Sequence, residues 1–196
     1  MLLVLSANAK PMFQPSEDVA AKGEITYCAT IDNPPRAFAD SSGKIQGFEI
    51  DLGVEIANRL GLKVNWEQMK FSGLIPSLKG QICDAIVQEL FIKPKRVEVI
   101  DMIPFGYSAQ SIVVNASNYD SISGPEDLSG LKVAVPNGTT IHNILNDTNK
   151  TLTSRGKKPI DIVILETTTD SFGQLQARQV DAVGTTNTAA AYYVGK

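Results

Sequence analysis

The strongest constraint on the fold of this chain is the alternation of two hydrophobic periods along it. From Glu24 onward, short runs rich in β-branched residues alternate with longer segments in which apolar residues recur at spacings of three and four. The short runs rich in β-branched residues are typical of strands, and the segments with spacings of three and four are typical of amphipathic helices. Strands that alternate with helices form βαβ units, whose strands run parallel. The sequence therefore predicts an α/β fold with mainly parallel sheets flanked by helices.

The predicted elements fall into two groups of similar size, which indicate two lobes over residues 24–108 and 109–196, joined near residues 107–110. A cleft between two such lobes is the usual place for a small-molecule site. The first group has strands at 25–31, 63–69 and 83–87 and helices at 49–60, 74–79 and 94–97; the second has strands at 110–115, 131–135, 161–165 and 180–183 and helices at 139–152, 169–177 and 187–194.

Composition excludes two functional classes. Of the 196 residues 20% are charged, the net charge is −3, and the basic residues are scattered. This pattern lacks the basic footprint of a nucleic-acid-binding protein. No apolar run approaches the roughly 18 to 20 residues that a membrane span needs. We therefore expect neither nucleic acid as a partner nor a membrane-spanning helix.

Residues 1–23 resemble a residual secretion signal followed by a lead-in. Residues 1–5 are apolar, and Ala7, Asn8 and Ala9 fit the small-x-small pattern that signal peptidase reads, although the usual basic start is missing. Two interpretations stand: a truncated secretion signal, or a featureless start, which is either a random apolar N-terminus or a mis-assigned start codon. Residues 10–22, rich in proline and alanine, predict an unstructured lead-in.

The two cysteines, Cys28 and Cys83, lie in strand-like runs and lack the spacing of metal ligands. A lone strand cysteine is most often a buried free thiol, which is the interpretation we favour. A disulfide is the alternative, in an oxidising compartment and between neighbouring strands.

Four ordered segments carry a resemblance to a known family. They are DNPPRAF at 32–38 with GFEIDL at 47–52, FSGLIPSL at 71–78 with CDAI at 83–86, IKPKR at 92–96 with DMIPF at 101–105, and DLSGLKVAV at 127–135 with GTT at 138–140 and VDAV at 180–183. In this order the set resembles the type II periplasmic solute-binding proteins for polar amino acids, over residues 24–194.

The resemblance implies a two-lobed, non-enzymatic receptor of the periplasm or cell exterior. Such a receptor closes on an amino acid or amino-acid-like small molecule and presents it to the permease of a membrane ABC transporter. Ligand binding shifts an equilibrium between open and closed lobes. The resemblance implies no cofactor, no metal and no nucleic acid.

The resemblance also assigns ligand-binding roles. Arg96 lies where the family has its carboxylate-clamping arginine. Thr139 and Thr140 begin a helix whose free N–H groups favour an anion. Phe71 matches an aromatic residue that packs on the ligand, and Asp32 matches an acidic residue of the cleft. Ordinary alternatives stand beside these roles: a solvated arginine, a threonine N-cap, a core phenylalanine and an aspartate that opens a turn.

Some departures from the family pattern concern the ligand. Glu89 and Phe91 replace small or hydroxylated contact residues, and Thr186 lies where the family commonly has an aspartate for the α-ammonium group. We count all three as candidate ligand-binding residues; either Glu89 takes over the ammonium, or the ligand lacks a conventional α-amino group. Arg36 replaces an aromatic or small residue, and would favour an acidic or extended polar ligand if it faced the cleft.

Other features leave alternatives open. Glu49 and Asp51 lie in the first turn of a predicted helix, where negative charge suits the dipole, and are assigned no chemistry. A dehydratase of prephenate-like acids, with Glu89 as its general acid, and a ligand-binding sensor domain are alternative functions. The chain stops at Lys196, before the family's usual return to the first lobe, so we expect that lobe to be incomplete, with exposed apolar surface and a tendency to oligomerise.

Overall fold

The protein is seen in a computed structural model that describes residues 14–116 and 122–195. The signal-like pattern at residues 1–9 lies outside the described residues. The α/β class is confirmed, with two mainly parallel sheets and helices packed on them. We call the part that holds the first sheet lobe 1 and the part from residue 110 onward lobe 2. Within the described ranges, no helix is long and apolar enough to cross a membrane.

The main sheet of lobe 1 has three parallel strands in the order β5-β1-β6. They are β1 (Glu24–Ala29), β5 (Lys63–Gln68) and β6 (Ala85–Ile86). Helix α2 (Phe48–Leu60) packs on this sheet and ends at Gly61, whose φ of 70° is the left-handed conformation of a C′ glycine. The shorter helices of this lobe are α3 (Leu74–Lys79) and α4 (Pro94–Val97).

Two segments of lobe 1 differ from the sequence prediction. The stretch between β1 and α2, for which no strand was predicted, forms a small antiparallel sheet of β2 (Asp32–Asn33), β3 (Ala37–Ala39) and β4 (Ile45–Gln46). Strands of two or three residues are too short to show a hydrophobic period. The lead-in, predicted as unstructured, contains helix α1 (Glu17–Lys22). Acidic residues in its first turn and an ion pair from Lys22 Nζ to Asp84 Oδ1 at 2.8 Å stabilise this helix.

Lobe 2 is built on a four-stranded sheet in the order β7-β10-β8-β9, in which β7 runs antiparallel. Its strands are β7 (Gln110–Val114), β8 (Lys132–Pro136), β9 (Asp161–Leu165) and β10 (Ala182–Thr186), and its helices are α5 (Thr140–Ser154), α6 (Thr168–Gln176) and α7 (Asn187–Val194). The predicted bounds agree to within two residues, except that the last strand continues to Thr186.

One glycine lets helix α5 approach the sheet of lobe 2. A Cβ atom at Gly184 would lie 2.6 Å from Ile141 Cγ1 and 2.9 Å from Val135 Cγ1. Since carbon atoms that are not bonded to each other do not approach so closely, only glycine permits this packing. Ile141 belongs to the first turn of α5, so the contact brings the N-terminus of that helix against strand β10.

Lobe 1 has an apolar surface after α4, as the sequence predicted. Val97, Val99, Phe105 and Tyr107 are exposed, and Ile103 keeps 87% of its surface accessible. The oligomeric state expected from this surface stays a prediction.

The prediction of two free thiols is wrong, because Cys28 and Cys83 form a disulfide with a Cα–Cα distance of 5.6 Å. The reason is the pairing of β1 with β6, which places Cys28 opposite Ile86 and brings the preceding residues of that segment alongside β1. The bridge is buried and packs with Leu74 in a cluster that also contacts Phe71.

The disulfide predicts a measurable stability loss on reduction. It joins residues 55 apart, and a loop of this length is expected to contribute about 4 kcal/mol by restricting the unfolded chain. Urea unfolding of the oxidised protein, with and without reductant, should show a loss of this order. The Cys28→Ala/Cys83→Ala variant serves as the control, because its midpoint should not respond to reductant. Equal midpoints for the oxidised and reduced wild-type protein would contradict the prediction.

Candidate functional site

A cavity lies between the two lobes and is lined by residues from both. The space in it that a water-sized sphere can occupy measures about 50 Å³, so the cavity is a narrow cleft. Its walls come largely from segments that follow the carboxyl ends of strands. Thr30 follows β1, Glu166 follows β9, and Thr185 and Thr186 end β10. In open α/β sheets this edge is where ligands bind.

Of the eight residues that the sequence predicted for the site, seven line this cavity. They are Asp32, Phe71, Glu89, Phe91, Thr139, Thr140 and Thr186. Their ligand contacts stay predictions. The eighth residue, Arg96, stands just behind the wall: its Nη1 donates to the Phe91 carbonyl at 2.8 Å, and its guanidinium carbon lies 5.6 Å from the centre of the Phe71 ring. Burial lowers the pKa of Arg96 from its usual value.

The N-terminus of α5 presents an unused donor to the cavity. Thr139 is the N-cap, because its hydroxyl accepts from the His142 N–H at 3.4 Å while donating to the Pro136 carbonyl at 2.8 Å. The Thr140 hydroxyl is buried and has no hydrogen-bond partner among the described residues. The same is true of Gln110 Nε2, on the first residue of β7. A buried donor without a partner costs free energy, so both groups are suited to a ligand oxygen.

Two carboxylates of the cavity belong to no salt bridge within the described parts of the chain. Asp32 lies on β2 of lobe 1, where burial raises its pKa against the opposing effects of a hydrogen bond from Thr30, the charge of Lys70 and the backbone N–H of Thr168. Glu166 lies on the exposed rim of lobe 2. A ligand cation between the lobes would therefore meet acidic groups from both sides.

Glu89 has a different environment from the one considered in the sequence analysis. Its Oε2 lies 3.1 Å from Arg36 Nε, and its side chain is only 5% exposed. Asn33 Nδ2 donates to the same carboxylate at 3.5 Å. Since Arg36 already compensates Glu89, this carboxylate is a poor substitute for the family's ammonium-binding aspartate. Arg36 itself is absent from the cavity lining, so the condition under which it would favour an acidic or extended polar ligand is not met.

Glu49 also has a role that its place in the first turn of α2 did not reveal. Its side chain is fully buried, and its Oε1 lies 3.1 Å from Arg36 Nη1. Burial raises the pKa of Glu49 to about 8, although the positive charge of Arg36 opposes this shift. The exposed neighbour Asp51 keeps the role that the helix dipole predicts.

The sequence analysis missed several lining residues, chiefly polar ones. They are Thr30, Asn33, Gln88, Gln110, Glu166, Thr168 and Thr185. A usable signal existed for Glu166, because it directly follows a predicted strand of a parallel sheet. Thr30 lay inside the predicted first strand and follows β1 only in the structure. Gln110 and Gln88 have no local pattern that distinguishes them from other polar residues.

Comparison with known proteins places the chain in a family. Residues 25–159 match the model of the bacterial extracellular solute-binding proteins, family 3. The lysine/arginine/ornithine-binding periplasmic protein of Escherichia coli (strain K12) is 30% identical over 182 residues, which span 93% of this chain and 65% of that protein. The chain thus spans just under two thirds of the length of this relative.

Solved structures agree with this relationship. An ancestral amino acid-binding protein, a precursor of cyclohexadienyl dehydratase, superposes with a TM-score of 0.83 at 29% identity, over 91% of this chain and 76% of that one. An ancestral arginine-binding protein bound to arginine gives 0.81 at 34% identity, over 88% of this chain and 74% of that one. The two-lobed fold expected from the sequence is therefore confirmed, and the chain belongs to the bacterial extracellular solute-binding proteins, family 3.

Proposed function

We propose that this chain is the extracytoplasmic binding component of an ABC transporter, and that its ligand is an amino acid with a cationic side chain. The observation that supports this most directly is the charge pattern of the cavity. Asp32 and Glu166 are carboxylates outside any salt bridge of the described residues, and the Thr140 and Gln110 donors lack partners.

The two kinds of group match the charges of such a ligand. A basic amino acid has one carboxylate and two cationic groups. The carboxylate binds at the N-terminus of α5, where free N–H groups and the Thr140 hydroxyl favour an anion. The α-ammonium and the side-chain cation bind to the carboxylates. Phe71 and Phe91 then cover the aliphatic part of the ligand with apolar area.

Arg96 is proposed as the second group for the ligand carboxylate. Its Nη1 is bonded to the Phe91 carbonyl, which holds the guanidinium beside the ring of Phe71 at the cavity wall. A planar guanidinium in this place offers further N–H donors to a carboxylate oxygen.

The relatives support the same ligand class. The Escherichia coli relative is named for lysine, arginine and ornithine, and the ancestral structure of similar fold contains arginine. The periplasm or cell exterior is the proposed location, and the buried disulfide suits an oxidising compartment. A permease of the membrane is the proposed partner.

The alternative of a dehydratase is disfavoured by the state of Glu89. A general acid must hold a proton to donate, whereas Glu89 is ion-paired with Arg36 in a buried site. Relatives named for binding, rather than for a reaction, also support a receptor without enzymatic activity.

The proposal predicts a definite order of ligands. In thermal unfolding of the purified chain, arginine, lysine and ornithine should raise the melting temperature more than glutamine, because ligands that bind only the folded state stabilise it. Glutamate should give no shift, since it adds a negative charge beside Asp32 and Glu166. Stabilisation by glutamate, or by none of the twenty amino acids, would contradict the proposed ligand class.

Removing one cavity carboxylate at a time tests the cation site. We expect Asp32→Asn and Glu166→Gln each to raise the Kd for arginine by roughly tenfold or more, since a hydrogen bond to a charged group contributes about 1.5–3 kcal/mol when desolvated. The effect should be larger at Asp32 because Glu166 is exposed. Asp161→Asn is the matched control at the opposite end of β9 and should bind as the wild type does in calorimetry. Equal losses at Asp161 and Glu166 would indicate a general charge effect instead.

A further inference from the structure

Three buried ionisable side chains meet behind the cavity wall, and only one of them is a cation. The Arg36 side chain is 11% exposed, Glu89 is 5% exposed and Glu49 is fully buried. The guanidinium faces both acids, with Nη1 3.1 Å from Glu49 Oε1 and Nε 3.1 Å from Glu89 Oε2. Buried ions of this kind are tolerated only when each has a partner.

The three residues come from different segments of lobe 1. Arg36 lies in the link between β2 and β3, Glu49 in the first turn of α2, and Glu89 in the segment after β6. Backbone contacts add to the ion pairs, because the Glu49 N–H donates to the Arg36 carbonyl at 2.8 Å. The guanidinium therefore fixes the position of Glu89 relative to the rest of lobe 1.

Lobe 2 joins this cluster through one hydroxyl. Thr188, the second residue of α7, accepts from Arg36 Nε at 3.2 Å and lies 3.4 Å from Glu89 Oε2, to which its O–H can donate. The hydroxyl oxygen of Thr186, which lines the cavity, lies 3.0 Å from the hydroxyl oxygen of Thr188. A second contact joins the same parts of the protein, since the Phe38 and Tyr192 ring centres are 6.2 Å apart.

Charge balance explains how the cluster can remain buried. With the pKa of Glu49 raised to about 8 by burial, its carboxyl group is mostly protonated at neutral pH. The guanidinium then neutralises Glu89, and the cluster as a whole is close to neutral. Glu89 consequently acts as a fixed acceptor in the wall rather than as a free anion for the ligand.

We propose that Arg36 is a positioning residue of the binding cleft, which holds Glu89 in the cavity wall and, through the Thr188 hydroxyl, ties helix α7 to lobe 1 so that the lobes close on a ligand. This inference rests on the proposed function for its ligand, but the attachment of α7 does not depend on it. Glu89 adds a second connection of this kind, because its backbone hydrogen-bonds to Glu49 and its carboxylate accepts from the Thr188 hydroxyl.

The charge balance predicts a pH dependence of stability. The ordinary pKa of a glutamate is 4.5, and that of Glu49 in the folded state is about 8. Between these two pH values the folded state keeps a proton on Glu49 that the unfolded state has lost. The unfolding equilibrium constant should therefore rise through this window, by up to about tenfold for each pH unit. The charged groups that act on Glu49 are Arg36 and Glu89, and Tyr27 of the adjacent β1 stays neutral because burial raises its pKa to about 12.

Unfolding in urea at pH 5 to 8 measures this dependence. Glu49→Gln should flatten the profile, since glutamine does not titrate. Glu55→Gln is the matched control on the same helix, where the carboxylate is exposed and paired with Arg59, and it should leave the slope unchanged. Parallel profiles for the wild type and Glu49→Gln would contradict the assignment.

The attachment of α7 is tested with Thr188→Val, which removes the hydroxyl but keeps the shape, and with Thr188→Ser, which keeps the hydroxyl. Thr148→Val is the matched control, because the Thr148 hydroxyl bonds only within lobe 2, to the Ile144 carbonyl at 2.9 Å. We expect Thr188→Val to speed amide hydrogen exchange in α7 and in residues 31–39 by about tenfold over the wild type, in the ligand-free chain and measured by mass spectrometry. Thr188→Ser and Thr148→Val should exchange there as the wild type does. Exchange in the β5-β1-β6 sheet should not change.

Binding supplies the second measurement. Thr188→Val should raise the Kd for arginine by about tenfold, while Thr188→Ser and Thr148→Val stay within about twofold of the wild type. Unchanged exchange in Thr188→Val would overturn the inference whether or not an amino acid binds. A wild type that binds no amino acid, with faster α7 exchange in Thr188→Val, would instead overturn the proposed function and support the attachment.

Discussion

A guanidinium that is largely buried needs a negative partner and hydrogen-bond acceptors, and Arg36 finds them in the Glu89 carboxylate and the Glu49 carboxyl group. Because the two acids come from the start of α2 and from the segment after β6, the ion pairs join parts of lobe 1 that are distant in sequence. The short strands β2 and β3 flank Arg36 and are held against α2 by the same contacts. The wall of the cavity next to Glu89 thus depends on one buried cation.

The same interaction determines which charges remain for a ligand. Glu89 lines the cavity, but its charge is balanced by Arg36, whereas Asp32 and Glu166 belong to no salt bridge among the described residues. On the opposite side, the first turn of α5 offers N–H groups and the Thr140 hydroxyl. This opposite arrangement of acids and donors is the basis on which we propose a ligand that is itself both acid and base.

The disulfide and a glycine position the remaining walls. The Cys28–Cys83 bridge lies in the cluster beneath Phe71 and so supports the aromatic side of the cavity. Gly184 allows α5 to pack closely on β10, which sets the place of its N-terminus. Neither the disulfide nor Gly184 lines the cavity, but each determines the position of groups that do.

Much of the fold was predictable, because the order of strands and helices follows from local periodicity. Strand β9 and helix α7 were predicted with their observed bounds, and the helix start at Thr139 and Thr140 followed from capping preferences. The small sheet of β2 to β4, the disulfide and the lining residue Gln110 were not, since none of them has a local signal. The orientation of Arg36 was left open, because an arginine looks the same in sequence whether it faces a cleft or two buried acids. The sequence by itself therefore determined the α/β class and the order of the elements. Only the tertiary structure decided which charges neutralise each other, because oppositely charged partners such as Arg36 and Glu89 lie in separate segments of the chain and meet only when it folds.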